Sequence, residues 1–256
     1  MRSTCRLTGF AKKTVERALR EIGQACQEFQ DKTLRNLRCD LLQCDEIWSF
    51  CGAKEKNATA EQKARGCGDI WTWVAIDAKT KLIPCWHVGN RDAWAAKWFM
   101  DDLASRLVHR IQLTTDGHQP YIQAVEDAFG CDIDYAMLVK LYGKPIEDLS
   151  RYSPPVCIGA RKSRIAGNPD RKHVSTSFSE RSNLTIRMHN RRCTRLTNAF
   201  SKKAENHALS MALHFMFYNF VRIHQTLRVT PAMEAGISDH VWTVEEVAAL
   251  PFGDSK

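Results

Sequence analysis

Three acids, Asp45, Asp116 and Glu180, are of the type and placement that metal-dependent phosphoryl chemistry needs. Asp45 lies within residues 41–52, LLQCDEIWSFCG, which read as a short, mostly apolar strand. Acids are poor strand formers and costly to bury, so a strand that keeps one inside uses it for chemistry or a metal. Glu46 follows directly. Side chains alternate along a strand, so the two acids point to opposite faces and only one serves a given site. Asp45 is read as the ligand, with Glu46 as the alternative. Asp116 stands in LTTDGHQPY at a strand end, where Gly117 lets the chain turn sharply. Asp116 could equally be an ordinary turn residue. Glu180 opens a helix in SFSERSNLTIR, where Ser177-x-x-Glu180 also fits a capping box. If the three carboxylates converge, they suit two Mg²⁺ ions about 3.5–4 Å apart, or Mn²⁺ in their place. One ion would activate water or a DNA 3′-hydroxyl, and the other would stabilise the leaving oxyanion.

The elements that must bring them together follow from patterning. Residues 41–50 form the first strand and 53–65 a polar loop. Residues 69–77 and 81–88 form a hairpin around Asp77-Ala78-Lys79-Thr80, which completes a three-stranded antiparallel meander. A helix is expected over 92–107, with Trp94, Trp98, Phe99 and Leu103 on its apolar side. A strand at 110–115, a helix at 118–129 and a strand at 132–141 follow. This order is the α/β pattern of an RNase H-like mixed sheet flanked by helices. Residues 143–176 hold Pro145, Pro154, Pro155, Pro169, Gly159 and Gly167 and read as an extended, mobile loop. A long basic helix over 179–200, an apolar one over 203–220 and a short one over 231–236 complete the chain.

Residues 1–26 read as part of a helix-turn-helix. Residues 3–7 would end one helix, Thr8-Gly9 makes the turn, and 11–22 forms the next, with Val15, Leu19 and Ile22 as its buried stripe. Lys12, Lys13, Arg17 and Arg20 lie off that stripe, where a recognition helix meets phosphates and base edges. A three-helix unit needs a helix before Ser3, so the motif is expected to begin partway through. Residues 1–38 then form a DNA-binding segment with a connecting helix, and residues 39–256 a catalytic domain.

Charge supports a polyanion partner. The net charge is +8; residues 1–38 carry nine Lys/Arg against four acids, and residues 151–203 carry thirteen against two, which leaves −8 for the remainder. Two basic regions therefore flank an acidic one, as expected for DNA held beside a metal-attracting centre. Within the second region, Arg161, Lys162, Arg164, Arg171 and Lys172 are candidate phosphate contacts. No apolar run approaches the roughly 20 residues of a membrane span, and the first residues lack a signal-like apolar core. A cytoplasmic, nucleoid-associated protein is expected. The ten cysteines contain no C-x-x-C pair and read as reduced, mostly buried thiols, with a zinc site at Cys39, Cys44 and Cys51 as the alternative.

The stretches CDEIWSFCG, WTWVAID, TTDG and SERSNLTIRMHNRRCTRLTNAFSK together resemble the DDE transposases of bacterial insertion sequences, of the IS-one type. The resemblance spans about residues 1–220. It implies Mg²⁺-dependent DNA cleavage at transposon ends followed by strand transfer, with Asp45, Asp116 and Glu180 as the triad. It also implies end recognition by residues 1–26 and assembly of several protomers on DNA. Arg181, Asn183 and Arg187 match the rest of the third motif, with Arg187 on the Glu180 face, within reach of a phosphate or of a salt-bridge partner. Such transposases carry a zinc-binding segment ahead of the helix-turn-helix, which this sequence lacks. Two other readings stay open: a DNA-binding regulator built on a catalytically inactive relic, and a nuclease that cuts without strand transfer.

Overall fold

The computed structural model describes residues 1–143, 156–194 and 197–253. In chain order the elements are α1 (Arg2–Thr8), α2 (Lys12–Thr33), β1 (Leu41–Cys51), α3 (Ala60–Ala64), β2 (Gly68–Asp77) and β3 (Trp86–Gly89). Then come α4 (Ala93–Arg106), β4 (Ile111–Thr115), α5 (Pro120–Phe129), β5 (Ile133–Tyr142), β6 (Cys157–Ala166), α6 (Ser177–His189), α7 (Ala204–Met216), α8 (Pro231–Glu234) and α9 (Val244–Ala249).

The strands form one six-stranded mixed sheet in the order β3-β2-β1-β4-β5-β6. β1, β2 and β3 pair antiparallel, as the meander pattern predicts. β4 joins β1 in parallel and β5 joins β4 in parallel, with α5 as the crossover between them. β6 returns antiparallel at the edge. Alternation along β1 sorts its side chains onto two cores. Leu42 and Cys44 join Trp73, Phe99, Leu113 and Tyr121 beneath α4 and α5. Ile47 joins Val74, Ile186, Met211 and Phe215 beneath α6 and α7.

The face toward α6 is fixed at three successive inward positions of β1. Buried Gln43 accepts from the Phe178 and Ser179 amides at 2.8 and 3.2 Å, satisfying two of the free N–H groups that open α6. Asp45 bonds Asn183, one turn on, and Ile47 packs on Ile186. The helix therefore lies along β1 in a single register.

Several expectations need correction. Residues 157–166, read as part of a mobile loop, form β6; residues 144–155, which hold Pro145, Pro154 and Pro155, lie outside the described part. The third meander strand is short because the Ile83 backbone is claimed by Asn219, which accepts from its N–H and donates to its carbonyl, both at 3.0 Å. The helix expected over 179–200 ends at His189, where the Thr194 hydroxyl donates to the Arg187 carbonyl and folds the chain back. On α4 the core stripe is Ala95, Ala96, Phe99, Met100 and Leu103, whereas Trp94 and Trp98 are 73% and 67% exposed. Trp94 and Trp98 share one helix face, but that face is not the one carrying Phe99 and Leu103. At the N-terminus, Gly9 makes the left-handed turn at φ 75°, and α2 then runs unbroken for 22 residues into the expected connecting helix. Val15, Leu19 and Ile22 are half-buried, and no residue of α1 is buried.

Candidate metal and nucleic-acid site

The parallel register between β1 and β4 pairs Leu41 with Gln112 and Cys44 with Thr115. One step further the same offset sets Asp45 beside Asp116, where β4 has ended and the chain turns through Gly117. The site thus forms at the carboxyl end of a parallel strand, where open α/β sheets place their ligands. The Asp116 carboxylate accepts from the His118 amide at 2.9 Å, an Asx turn that orients it. Asp45 accepts from the Glu46 amide through Oδ1 at 2.8 Å and from Asn183 Nδ2 through Oδ2 at 2.9 Å.

Asp45, Glu46 and Asp116 offer carboxylate oxygens that all lie within 4.8 Å of one another, the one such group of metal-capable side chains among the described residues. This corrects the expectation that strand alternation admits only one of Asp45 and Glu46. β4 stops at Thr115, so on that side no strand lies beside β1 beyond Cys44, and both carboxylates come within reach of Asp116. Arg91 ties the group together, donating to Glu46 at 3.0 Å and pairing with Asp116 at 3.6 Å. The buried Tyr121 hydroxyl lies near Glu46.

Glu180 lies outside that tight group but lines the same cleft, of about 660 Å³, with Asp45, Asp116, Arg91, His118 and Lys140. Its carboxylate accepts from Lys140 Nζ at 2.5 Å and from the Thr176 hydroxyl at 2.7 Å. The capping box at Ser177 does not form: Thr176 is the N-cap, and Ser177 instead takes its contacts from Ser175. Glu180 is therefore turned into the cleft.

Electrostatics mark the cluster as short of positive charge. Burial, then the negative charges of Glu46 and Asp116, push the Asp45 carboxyl up to about 7; the Glu46 amide opposes this, and Glu180 adds to it. Burial and Asp116 likewise raise Glu46, against the pull of Tyr121 and Arg91. Carboxylates that disfavour each other's ionisation in one place fit a hard divalent cation, which takes oxygen ligands and neutralises them. The all-oxygen donor set suits Mg²⁺ or Mn²⁺ rather than a thiolate-seeking metal. The alternative zinc trio does not assemble. At about 3.3 Å per strand residue, Cys44 and Cys51 sit roughly 23 Å apart on β1. All ten cysteines are free thiols.

The candidate DNA contacts fall in three places. Lys12, Lys13, Arg17 and Arg20 are exposed on α2, where Lys12–Glu16 and Arg17–Glu21 form surface pairs at 3.3 and 3.7 Å. Arg161, Lys162 and Arg164 are exposed on β6, with Arg171 and Lys172 exposed in the turn beyond it. Lys162 and Arg164 pair with Leu138 and Ala136 of β5, which puts them on the sheet face that carries Lys140 and borders the cleft. Arg181 is exposed on α6, and Arg187 is half-buried one turn past Asn183. Asn183 does not face solvent; it is buried and engaged by Asp45.

Residues the sequence did not single out are Arg91, Lys140, Thr176, Tyr121 and His118. Each is of a type common on any surface or core. Only the three-dimensional closure of β1, β4, β5 and α6 gives them a shared role. No helix among the described residues is long and apolar enough to cross a membrane. No protein-family model and no curated protein sequence matches this chain.

Proposed function

We propose that the chain is a DDE-type transposase with an RNase H-like catalytic core, which cleaves DNA at insertion-sequence ends and transfers the strand in a Mg²⁺-dependent reaction. The observation that carries this reading is the meeting of Asp45, Asp116 and Glu180 in one cleft at the end of β4, with Glu46 alongside. The β3-β2-β1-β4-β5 order with antiparallel and then parallel pairing supports the fold reading. Asp45, Asp116 and Glu180 would hold the metal, and Asn183 fixes the Asp45 carboxylate through Oδ2. When bound, the ions supply charge for the scissile phosphate and activation of water or a 3′-hydroxyl. Lys140 and Arg91 line the cleft as cations of the kind that take phosphate oxygens. DNA is the proposed partner, met by α2 in the manner of a helix-turn-helix and by β6, with several copies of the chain assembling on it.

The test is incubation of the purified chain with a duplex bearing the terminal repeats of its own element, with Mg²⁺ or EDTA. Nicks leaving a 3′-hydroxyl at the repeat boundary and joined products are expected with Mg²⁺ only, and Asp45→Asn and Asp116→Asn should abolish them. Cleavage without joining would reduce the protein to a nuclease. Specific binding without cleavage would leave a DNA-binding relic.

A further inference from the structure

Beyond the acid cluster, β1 carries a row of aromatic side chains that the two cores leave unused. Glu46, Trp48 and Phe50 share one face of the strand, and Trp71 of β2 pairs directly with Trp48 on that face. The Trp48 and Phe50 rings lie 5.8 Å apart, and Phe200 lies 4.6 Å beyond Phe50, brought there as Ser201 bridges to Cys51 at the end of β1. All four rings are half-buried and belong to none of the hydrophobic cores. α4 covers the sheet at Trp73 through Phe99, and the row lies further along the strands.

Each part of the row carries a cation. Arg91 sits over Trp71 at 4.9 Å, Lys54 over Trp48 and Phe50 at 5.6 and 5.8 Å, and Lys202 over Phe200 at 4.2 Å. Asp69, opposite Phe50, is an acid on this face, and its carboxylate is taken by the Glu55 amide at 3.0 Å. Arg91 joins the row to the acid cluster, since the guanidinium stacked on Trp71 also bonds Glu46.

The geometry points to a binding site for single-stranded DNA, with bases stacked on Trp71, Trp48, Phe50 and Phe200 and phosphates held by Arg91, Lys54 and Lys202. Partly exposed aromatic rings interleaved with cations take unpaired bases of any sequence, whereas bases paired within a duplex keep their faces covered. Choosing DNA as the occupant rests on reading the adjoining cluster as a DNA-processing centre. A strand unpaired at that centre would pass directly onto the row.

The test measures binding of the full chain, in EDTA, to a fluorescein-labelled oligothymidylate and to a blunt duplex of the same length. Trp48→Ala combined with Phe50→Ala should weaken oligothymidylate binding about tenfold or more and leave duplex binding unchanged. Lys54→Glu with Lys202→Glu, at one half-buried and one exposed position, should weaken it as well and flatten its salt dependence. Equal loss on both ligands, or no loss on either, overturns the inference. So does a change in sedimenting mass with oligothymidylate binding intact, which would make the row a contact between copies of the chain. If the aromatic variant does not fold, the lysine variant decides alone. No cleavage enters the assay, so a chain that binds through these rings yet cuts nothing loses the proposed function and keeps this site.

Discussion

The side-chain amide of Asn183 donates to Oδ2 of Asp45 at 2.9 Å across 138 residues of chain, joining α6 to the strand that carries the acid cluster. Oδ1 is already held by the Glu46 amide, so the Asp45 carboxylate is fixed at both oxygens before any ligand arrives. Partners that orient a metal-binding carboxylate typically affect metal affinity or activity about 10- to 100-fold. Asn183→Ala should therefore weaken Mg²⁺ binding and cleavage by a factor in that range while leaving DNA affinity unchanged. Titration of Mg²⁺ against cleavage rate checks it. Unaltered Mg²⁺ dependence would leave Asn183 as a packing residue only.

The Asp45 carboxyl gives a pH prediction for the metal-free protein. Its folded pKa, pushed up to about 7, lies above its unfolded value near about 3.9. Between those values the folded state holds a proton that the unfolded state releases, so stability falls as pH rises from about 4 to about 7. Asp45→Asn removes the titration but gives up one acceptor. In EDTA the variant should be more stable than the parent at pH 8 by about 2 kcal/mol, with the difference shrinking toward pH 4. Urea unfolding at both pH values reads this directly. Equal stabilities at pH 8 would mean that Asp45 ionises freely.

How far the sequence disclosed this site depends on which physical signal each part carries. β1 was legible because an acid in an apolar alternating run is rare, and the Asp116-Gly117 turn because glycine marks a strand end. Glu46 counts in the sequence only as an alternative to Asp45, because alternation along one strand ignores where the neighbouring strand stops, and β4 stops at Thr115. β6 was invisible because an exposed edge strand is held by its backbone pairing to β5; its side chains are mostly solvated and show no hydrophobic period. The α4 stripe was misread because Trp94 and Trp98 keep helical spacing on the wrong side, and size gives no hint of which face meets the sheet.

A buried cation fastens the end of α2. Arg106, at the end of α4 and 7% exposed, pairs with Asp102 at 2.8 Å and donates to Asp31 at 2.7 Å and to the Leu34 carbonyl at 3.1 Å. These contacts fasten the end of α2 to α4. Hydrogen bonds to charged groups contribute about 1.5–3 kcal/mol. Arg106→Leu should lower stability by about 2–3 kcal/mol, since the acids it leaves are partly solvated and the leucine restores some packing. Limited proteolysis should also open residues 34–40 before the sheet. Protection of that segment in the variant would show that the Gly23, Cys26 and Gln30 face of α2 is anchor enough on its own.

The basic edge strand should act through charge alone. Arg161, Arg164 and Lys172 are exposed and make few contacts with the fold, so replacing all three with Ala should leave the melting temperature within about a degree or two. Each phosphate neutralised contributes about −0.9 to the slope of log affinity against log salt on duplex DNA. Loss of three such contacts should make the slope shallower by about 2–3, with affinity falling most at low salt. The matching change on α2, Lys13→Ala with Arg17→Ala and Arg20→Ala, separates the two surfaces. If α2 is the element that reads sequence, its variant should lose preference for the repeat ends over random duplex, whereas the β6 variant should weaken both equally. A β6 variant with an unchanged slope would remove that strand from the DNA path and leave Lys140 and Arg91 as the cations nearest the cleft.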